Sequence, residues 1–492
     1  MRMIAPGHFP GGDGFGGVGF AIPFRCVILR LFSRQFTMSI SLSSHFSYGK
    51  LLRFTLPSIL MMIFTSLYVI VDGLFVSNFV GKNPFAAINL IMPFVMVVGG
   101  MGFMLGSGGT ALVAKILGEG DRERASRTFT MILVFSILLG AVLTVLGVIF
   151  IRPVSVCLGA TEELLDDCVV YGAICIAFTI PFMLQNLFQT FLVAAERPRM
   201  GLYITLAAGS TNMILDALFI VGFGWGVAGA AVATGLSQCV GGIIPILFFR
   251  KRHGLAFHLT PVRLEFRPIL DACANGSSEL MNNISGSFVA MLYNWQLLKY
   301  AGADGVSAYG VLLYVGYICI AIFVGYSVGA APIVAFHYGA GNHSELKSML
   351  VKSCKLNLSI GVLAFLSMVF LARQMAAIFV GFDKELCDLT VHAFRLFSLS
   401  FLLSGFNIYA SSFFTALNNG PVSAAISFMR TLVFQGGAVM VMPLAMGVDG
   451  IWWSLTVAEA FAALVSFGLL VKMRGKYHYW QAGGQLSQKC WL

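Results

Sequence analysis

The sequence predicts an all-α polytopic membrane protein: twelve transmembrane helices in two six-helix bundles related by pseudo-twofold symmetry. Three observations predict it. The chain of 492 residues is 58% hydrophobic and only 11% charged, where soluble proteins carry roughly 25% charged residues. Apolar runs of about 20 residues recur along almost the whole chain, each long enough to cross a hydrocarbon core of about 30 Å as a helix. The two halves of the chain also resemble each other. In lipid a helix satisfies its own backbone hydrogen bonds. A membrane β-barrel would show period-two alternation over about ten residues, and no such pattern is present.

The spans fall at roughly 51–80, 86–116, 128–151, 167–194, 201–223, 226–249, 268–299, 305–337, 350–371, 388–416, 422–445 and 449–472. The longest connection, "FRKRHGLAFHLTPVRLEFRP" from Phe249 to Pro268, is basic and divides the spans six and six. The expected organisation is an N-terminal lobe over 38–249, a linker over 250–267, a C-terminal lobe over 268–473 and a tail over 474–492. Residues 1–37 stand apart. "APGHFPGGDGFGGVGFAIPF" has no helical period, and "RCVILRLF" is too short for a signal-peptide core. Met38 reads as a natural start, which makes residues 1–37 a disordered or over-extended leader.

Orientation follows from Lys and Arg. One set of loops holds Lys50, Arg53, Lys115, Arg122, Arg124, Arg127, Arg197, Arg199, Arg250, Lys251, Arg252, Arg263, Arg267, Lys347, Lys352, Lys355, Lys472, Arg474 and Lys476. The opposite set holds only Lys82, Arg152, Lys299, Arg373 and Lys384. The positive-inside rule puts the first set, and both termini, in the cytoplasm. The same rule accounts for the formal charge of +10, so the charge gives no reason to expect nucleic acid. The ten cysteines form no CxxC pair and read as small buried residues.

The internal repeat is carried by "ALVAKILGEGDRERA" (Ala111 to Ala125) and "PIVAFHYGAGNHSEL" (Pro332 to Leu346). They align without gaps: Val113 on Val334, Ala114 on Ala335, Gly118 on Gly339 and Gly120 on Gly341. Both copies lie on the same side of the membrane, so the repeat is parallel. Two such bundles around a shared site are a secondary-transporter design.

Two aspartates stand inside apolar runs: Asp72 in "SLYVIVDGLFVSNFV" and Asp216 in "TNMILDALFIVGFG". A charged carboxylate exposed to lipid at mid-membrane costs several kcal/mol, so each should face protein or a water-filled cavity. Spans 1 and 5 run in the same direction, and both aspartates fall roughly 9–14 Å below the outer end. Tyr68 precedes Asp72 by one turn and Asn212 precedes Asp216 by one turn. Thr234 in span 6 and Tyr171 near the outer end of span 4 fall at similar depth. A carboxyl shielded from water among such groups is suited to taking and releasing a proton. It could equally ligate Na⁺, a hard cation that prefers oxygen. The plainer reading is a cap or hydrogen bond between helices; for Tyr171 it is an interfacial aromatic belt.

The second half does not repeat the aspartates: in the repeat register Asp72 falls on Tyr293. Its intramembrane charges are Glu279, Arg430, His392 and Arg395. Glu279 and Arg430 both lie roughly 12–17 Å in from the cytoplasmic side, which predicts a buried ion pair between them. Gly-rich stretches such as "VGGMGFMLGSGG" predict close helix packing. The methionines at 61, 62, 92, 96, 101 and 104 read as packing or lipid-facing groups.

Taken together, "LPSILMMIFTSLYVIVDGLFV" in span 1, the "GEGDRERA" and "GAGNHSEL" loops, and "TNMILDALFIVGFGWGVAGAAVAT" across spans 5 and 6 resemble the multidrug and toxic compound extrusion (MATE) family. The resemblance runs from about Lys50 to Lys476. It implies a V-shaped pair of six-helix lobes and export of amphipathic, often cationic drugs or toxins by alternating access. It also implies coupling to H⁺ or Na⁺, with no other cofactor or metal. The family's first-lobe cation site maps onto Asp72, Tyr171, Asn212, Asp216 and Thr234. A second-lobe site used by other branches is not matched, because the only carboxylate of span 10 is Asp388 at its outer edge. The resemblance implies a bacterial cytoplasmic membrane, with the lipid bilayer and small amphiphiles as partners. No protein partner is indicated, and a monomer is compatible with the sequence. A flippase for a lipid-linked oligosaccharide is the alternative, although the first-lobe spans are almost free of the Lys and Arg that a pyrophosphate needs. No HExxH motif is present, and no enzyme is expected.

Overall fold

The computed structural model describes residues 40–250, 254–381 and 383–480. The leader expected over 1–37 and the end of the tail, 481–492, lie outside the described residues. Among the described residues every regular element is helical. The first half holds α1 (Tyr48–Phe79), α2 (Lys82–Gly118), α3 (Arg122–Cys157), α4 (Glu162–Ala177), α5 (Thr179–Ala194), α6 (Pro198–Asp216) and α7 (Gly226–Phe249). The second half holds α8 (Phe266–Gly339), α9 (His343–Val380), α10 (Lys384–Phe397), α11 (Phe401–Ala416), α12 (Gly420–Phe428), α13 (Gly436–Met446) and α14 (Val448–Tyr477). Two π-helical segments interrupt them: Ala217–Gly222 continues α6, and Met429–Gln435 joins α12 to α13.

With α10 and α11 counted as one continuous helix, and α12 and α13 as another, ten of the described helices are long and apolar enough to cross a membrane, and α4 with α5 forms an eleventh span bent by 58°. The twelfth comes from α8. A straight helix of 74 residues would run about 110 Å, far beyond one bilayer. Gly302, at φ 62° and ψ −153°, folds it back on itself, a conformation that costs glycine little. The rings of Tyr293 and Tyr309 then stack at 4.8 Å and 7°, although a straight helix would hold them about 24 Å apart. These twelve crossings are called spans 1–12 below.

The sequence repeat is reproduced in stereochemistry. Gly120 and Gly341 both adopt positive φ, at 90° and 67°, ending α2 and α8 with the left-handed residue that glycine supplies. The next residues cap the following helices. Asp121 accepts from the Arg124 amide, and Asn342 accepts from the Glu345 amide.

Within the first half α1 packs on α6, α6 on α7, α5 on α7 and α2 on α5. Within the second, α8 packs on α11 and α12, α9 on α11, and α13 on α14. Met61 and Met62 are buried, and their neighbours include Ala321 and Val324 of the other half. The eight described cysteines are free thiols. The long connection is anchored. Phe257 is fully buried among Phe129, Phe191 and Phe249. The amides of His258 and Thr260 donate to Ser126 and Thr130 of α3.

The halves touch backbone to backbone at the Lys/Arg-rich end. A Cβ on Gly118 would lie 2.0 Å from the Phe336 carbonyl oxygen, and one on Gly339 would lie 2.0 Å from that of Lys115. The same exchange recurs one layer further in. A Cβ on Gly108 would meet the Ala272 carbonyl oxygen at 2.0 Å, and one on Gly276 that of Met104 at 1.9 Å. Such contacts are open only to glycine, and they let helix backbones touch.

Candidate functional site

Asp216 is the last α-helical residue of α6, and the wider π turn begins directly after it. Such π segments are frequent at functional sites because they re-aim the side chains around them. Asp216 and Asn212 are fully buried, and α1 brings Asp72 alongside, so that the two carboxyl groups act on each other directly. Tyr171, 1% exposed, adjoins both carboxyls and the Cys175 thiol. It is a core residue and not part of an aromatic belt. Tyr68 adjoins Asp72 and Gln185. The Asn212 amide donates to the Thr234 hydroxyl at 3.4 Å. The six residues singled out in the first half therefore converge on one place.

Oxygens without partners define this place. Apart from the contact of the two carboxyls with each other and of Tyr171 with Cys175, Asp72 Oδ1, both carboxylate oxygens of Asp216, Asn212 Oδ1 and the Tyr171 hydroxyl are buried without a hydrogen-bond partner. Neither carboxylate is ion-paired among the described residues. The surrounding wall is apolar, built from Val76, Ile91, Ile220, Val227, Ala230 and Ala231. Buried polar atoms almost always find partners, so five orphan oxygens in one spot call for a guest. Two neighbouring carboxyls can share a proton. Alternatively, oxygens alone make a coordination set for a hard cation.

The second half is built differently. The ion pair expected between Glu279 and Arg430 is not formed. Arg430 instead donates from Nε and Nη2 to Glu459 Oε1 of α14, at 2.9 and 2.7 Å. Asn407 Nδ2 donates to Glu459 Oε2 at 2.6 Å, so both oxygens of this buried carboxylate are satisfied. The physical reason is the π segment that carries Arg430. Depth along a span says nothing about direction around it, and the bulge turns Arg430 towards span 12. Glu279 has no ion-pair partner among the described residues. At the position aligned with Asp72, the Tyr293 hydroxyl lies 2.6 Å from Ser454 Oγ. Sequence reasoning missed Glu459. A glutamate inside the apolar run "TVAEAFAALVSFG", in the same bundle as the intramembrane Arg430, was the available signal. His392 makes a contact of its own at the other end, with Nε2 2.8 Å from Asp449 Oδ1.

The family model MatE matches residues 57–218 and 280–436. The multidrug export protein MepA of Staphylococcus aureus (strain NCTC 8325 / PS 47) is 21% identical over 432 residues, covering 87% of this chain and 94% of the relative. MepA of Staphylococcus haemolyticus (strain JCSC1435) is 22% identical over 433 residues, with the same coverage. Among solved structures, an outward-facing multidrug resistance MATE family transporter of the MOP superfamily superposes with a TM-score of 0.84 at 22% identity. It covers 89% of this chain and 98% of that one. A MOP superfamily transporter from Pyrococcus furiosus Vc1 (DSM3638), whose binding pocket is described as reversed in polarity, gives 0.81 at 22% identity and the same coverage. The twelve spans, the parallel repeat and the matched family model agree, and the chain belongs to the MatE family of membrane transporters.

Proposed function

We propose that this protein is a cation-coupled antiporter that exports amphipathic, often cationic drugs and toxic compounds from the cytoplasm, driven by H⁺ or Na⁺. The observation that carries this reading is the group of orphan oxygens from Asp72, Tyr171, Asn212 and Asp216, closed off by apolar side chains and lacking a counter-charge. In the proposed cycle the outward-open protein takes up the ion between Asp72 and Asp216. That uptake changes the packing of α1 and releases the drug outside. The protein then turns inward, loses the ion to the cytoplasm and binds drug again. Tyr68 and Thr234 position Asp72 and Asn212.

The excess of Lys and Arg at one end supports placing that end, and both termini, in the cytoplasm of a bacterial cell. Residues 38–249 and 268–473 are the two lobes that move in this scheme. The export names of the MepA relatives support the substrate class.

The test is transport of ethidium in proteoliposomes under an imposed pH gradient, then under a Na⁺ gradient, for wild type, Asp72→Asn and Asp216→Asn. The reading expects one gradient to drive transport and both variants to lose it. Variants that transport like wild type would make the carboxylates structural and overturn the proposal.

A further inference from the structure

Between Ser41 and α1, seven residues form a strap across the Lys/Arg-rich end, and the strap is held by both halves. On the first half, Glu196 Oε1 accepts from the Leu42 amide at 2.7 Å and from Ser41 Oγ at 3.0 Å. On the second half, Glu345 Oε1 accepts from the Phe46 amide at 3.0 Å, and His45 Nδ1 lies 2.6 Å from Glu345 Oε2. Lys352 donates to the Phe46 carbonyl. Leu42 and Phe46 are buried, at 1% and 0% exposure, and the Phe46 ring meets Phe54 edge to face at 5.8 Å. Glu196 holds a left-handed backbone, with φ 63°. A glutamate in that region is strained, and such outliers gather where geometry has a task. The matching turn of the second half uses Asn418 at φ 55°, whose side chain donates to the Ala111 carbonyl across the seam.

We infer that residues 41–47 are the closing element of the cytoplasmic gate, clamped by Glu196 and Glu345, and that the strap must leave at least one of them before drug can enter from the cytoplasm. The reason is geometric. Leu42 and Phe46 are four residues apart, so even fully extended they span at most about 14 Å. When the halves part at this end, Glu196 and Glu345 separate, and a strap of that length cannot follow both. Its release uncovers the seam where Gly118 meets Phe336 and Gly339 meets Lys115. The strap also runs directly into α1, the helix that carries Asp72. A change in α1 at the ion site therefore acts on the segment that shuts the opposite end. This inference rests on the alternating-access reading, but not on which residues carry the ion.

The experiment reads opening directly. Ser58, fully buried on α1 with its carbonyl against Gly325 of the other half, is replaced by cysteine in a cysteine-free background. Labelling by a membrane-impermeant maleimide added from the cytoplasmic side is timed in oriented vesicles. Removing a charged hydrogen-bond acceptor is worth about a tenfold shift in such an equilibrium. Glu345→Ala and Glu196→Ala should each raise the labelling rate by about that factor. Glu123→Ala, which only breaks an exposed pair with Arg127, should leave the rate unchanged. Because Glu196 lies in a surface turn, its variant tests the idea even if Glu345→Ala fails to fold. Unchanged labelling in the Glu196 variant, or an equal rise in the Glu123 control, overturns the inference. Loss of ion coupling without a change in labelling would instead concern the ion site alone.

Discussion

Arg430 and Glu459 neutralise each other inside the second half, with the guanidinium donating twice to one carboxylate oxygen. Neither of these two charges is then free to act as a counterpart to the Asp72–Asp216 site. Removing one partner strands a buried charge, which typically costs 3–5 kcal/mol, whereas replacing both with apolar groups is often neutral. Arg430→Leu should therefore lower the melting temperature sharply in detergent. The double variant with Glu459→Leu should recover most of the loss. A double variant no more stable than Arg430→Leu would mean that the pair is not the unit.

Asp72 and Asp216 form the other pair of intramembrane acids. Asp72→Asn and Asp216→Asn should each reduce gradient-driven ethidium transport by roughly 5–150-fold, the usual span of a coupling free energy. Ethidium binding measured without a gradient should change far less. Equal losses in both measurements would make the aspartates drug ligands and not coupling groups.

Glu279 carries no such burden. It lacks an ion-pair partner, and its backbone carbonyl, not its carboxylate, accepts from Asn283. Glu279→Gln breaks no ion pair, so its melting temperature in detergent should stay close to wild type, unlike that of Arg430→Leu. A large destabilisation would reveal a partner that only another conformation provides.

The glycine seam predicts a conformational bias. Placing valine at 118 or 339 forces a methyl-bearing carbon into a backbone carbonyl. Overpacking of this kind costs about 1–3 kcal/mol, and only in the closed arrangement. Gly118→Val and Gly339→Val should thus raise cytoplasmic labelling of Ser58→Cys, whereas Gly437→Val, where nothing crowds the added carbon, should not.

The span count was legible because hydropathy over about 20 residues is a strong signal. The repeat was legible because Gly118, Gly120, Gly339 and Gly341 fill positions that tolerate no side chain or need positive φ. Residues one turn apart, Tyr68 with Asp72 and Asn212 with Asp216, could be paired from spacing alone. The partner of Arg430 could not. Depth is linear in sequence, but facing depends on rotation, and the π segment at 429–435 alters that rotation. The strap was also silent in sequence. Ser41 to Ser47 reads as a polar lead-in to span 1, and its partners Glu196 and Glu345 lie some 150 and 300 residues away.

The docking of Phe257 gives the molecule a leash. Because Thr260 is already fastened to Thr130, the slack between the halves is only the stretch from there to Phe266, where α8 begins. Six residues reach about 20 Å at full extension. That reach is a ceiling on how far the start of span 7 can swing from the first half at its cytoplasmic rim. Lengthening the stretch with glycine and serine would relax that ceiling without touching either the ion site or the gate.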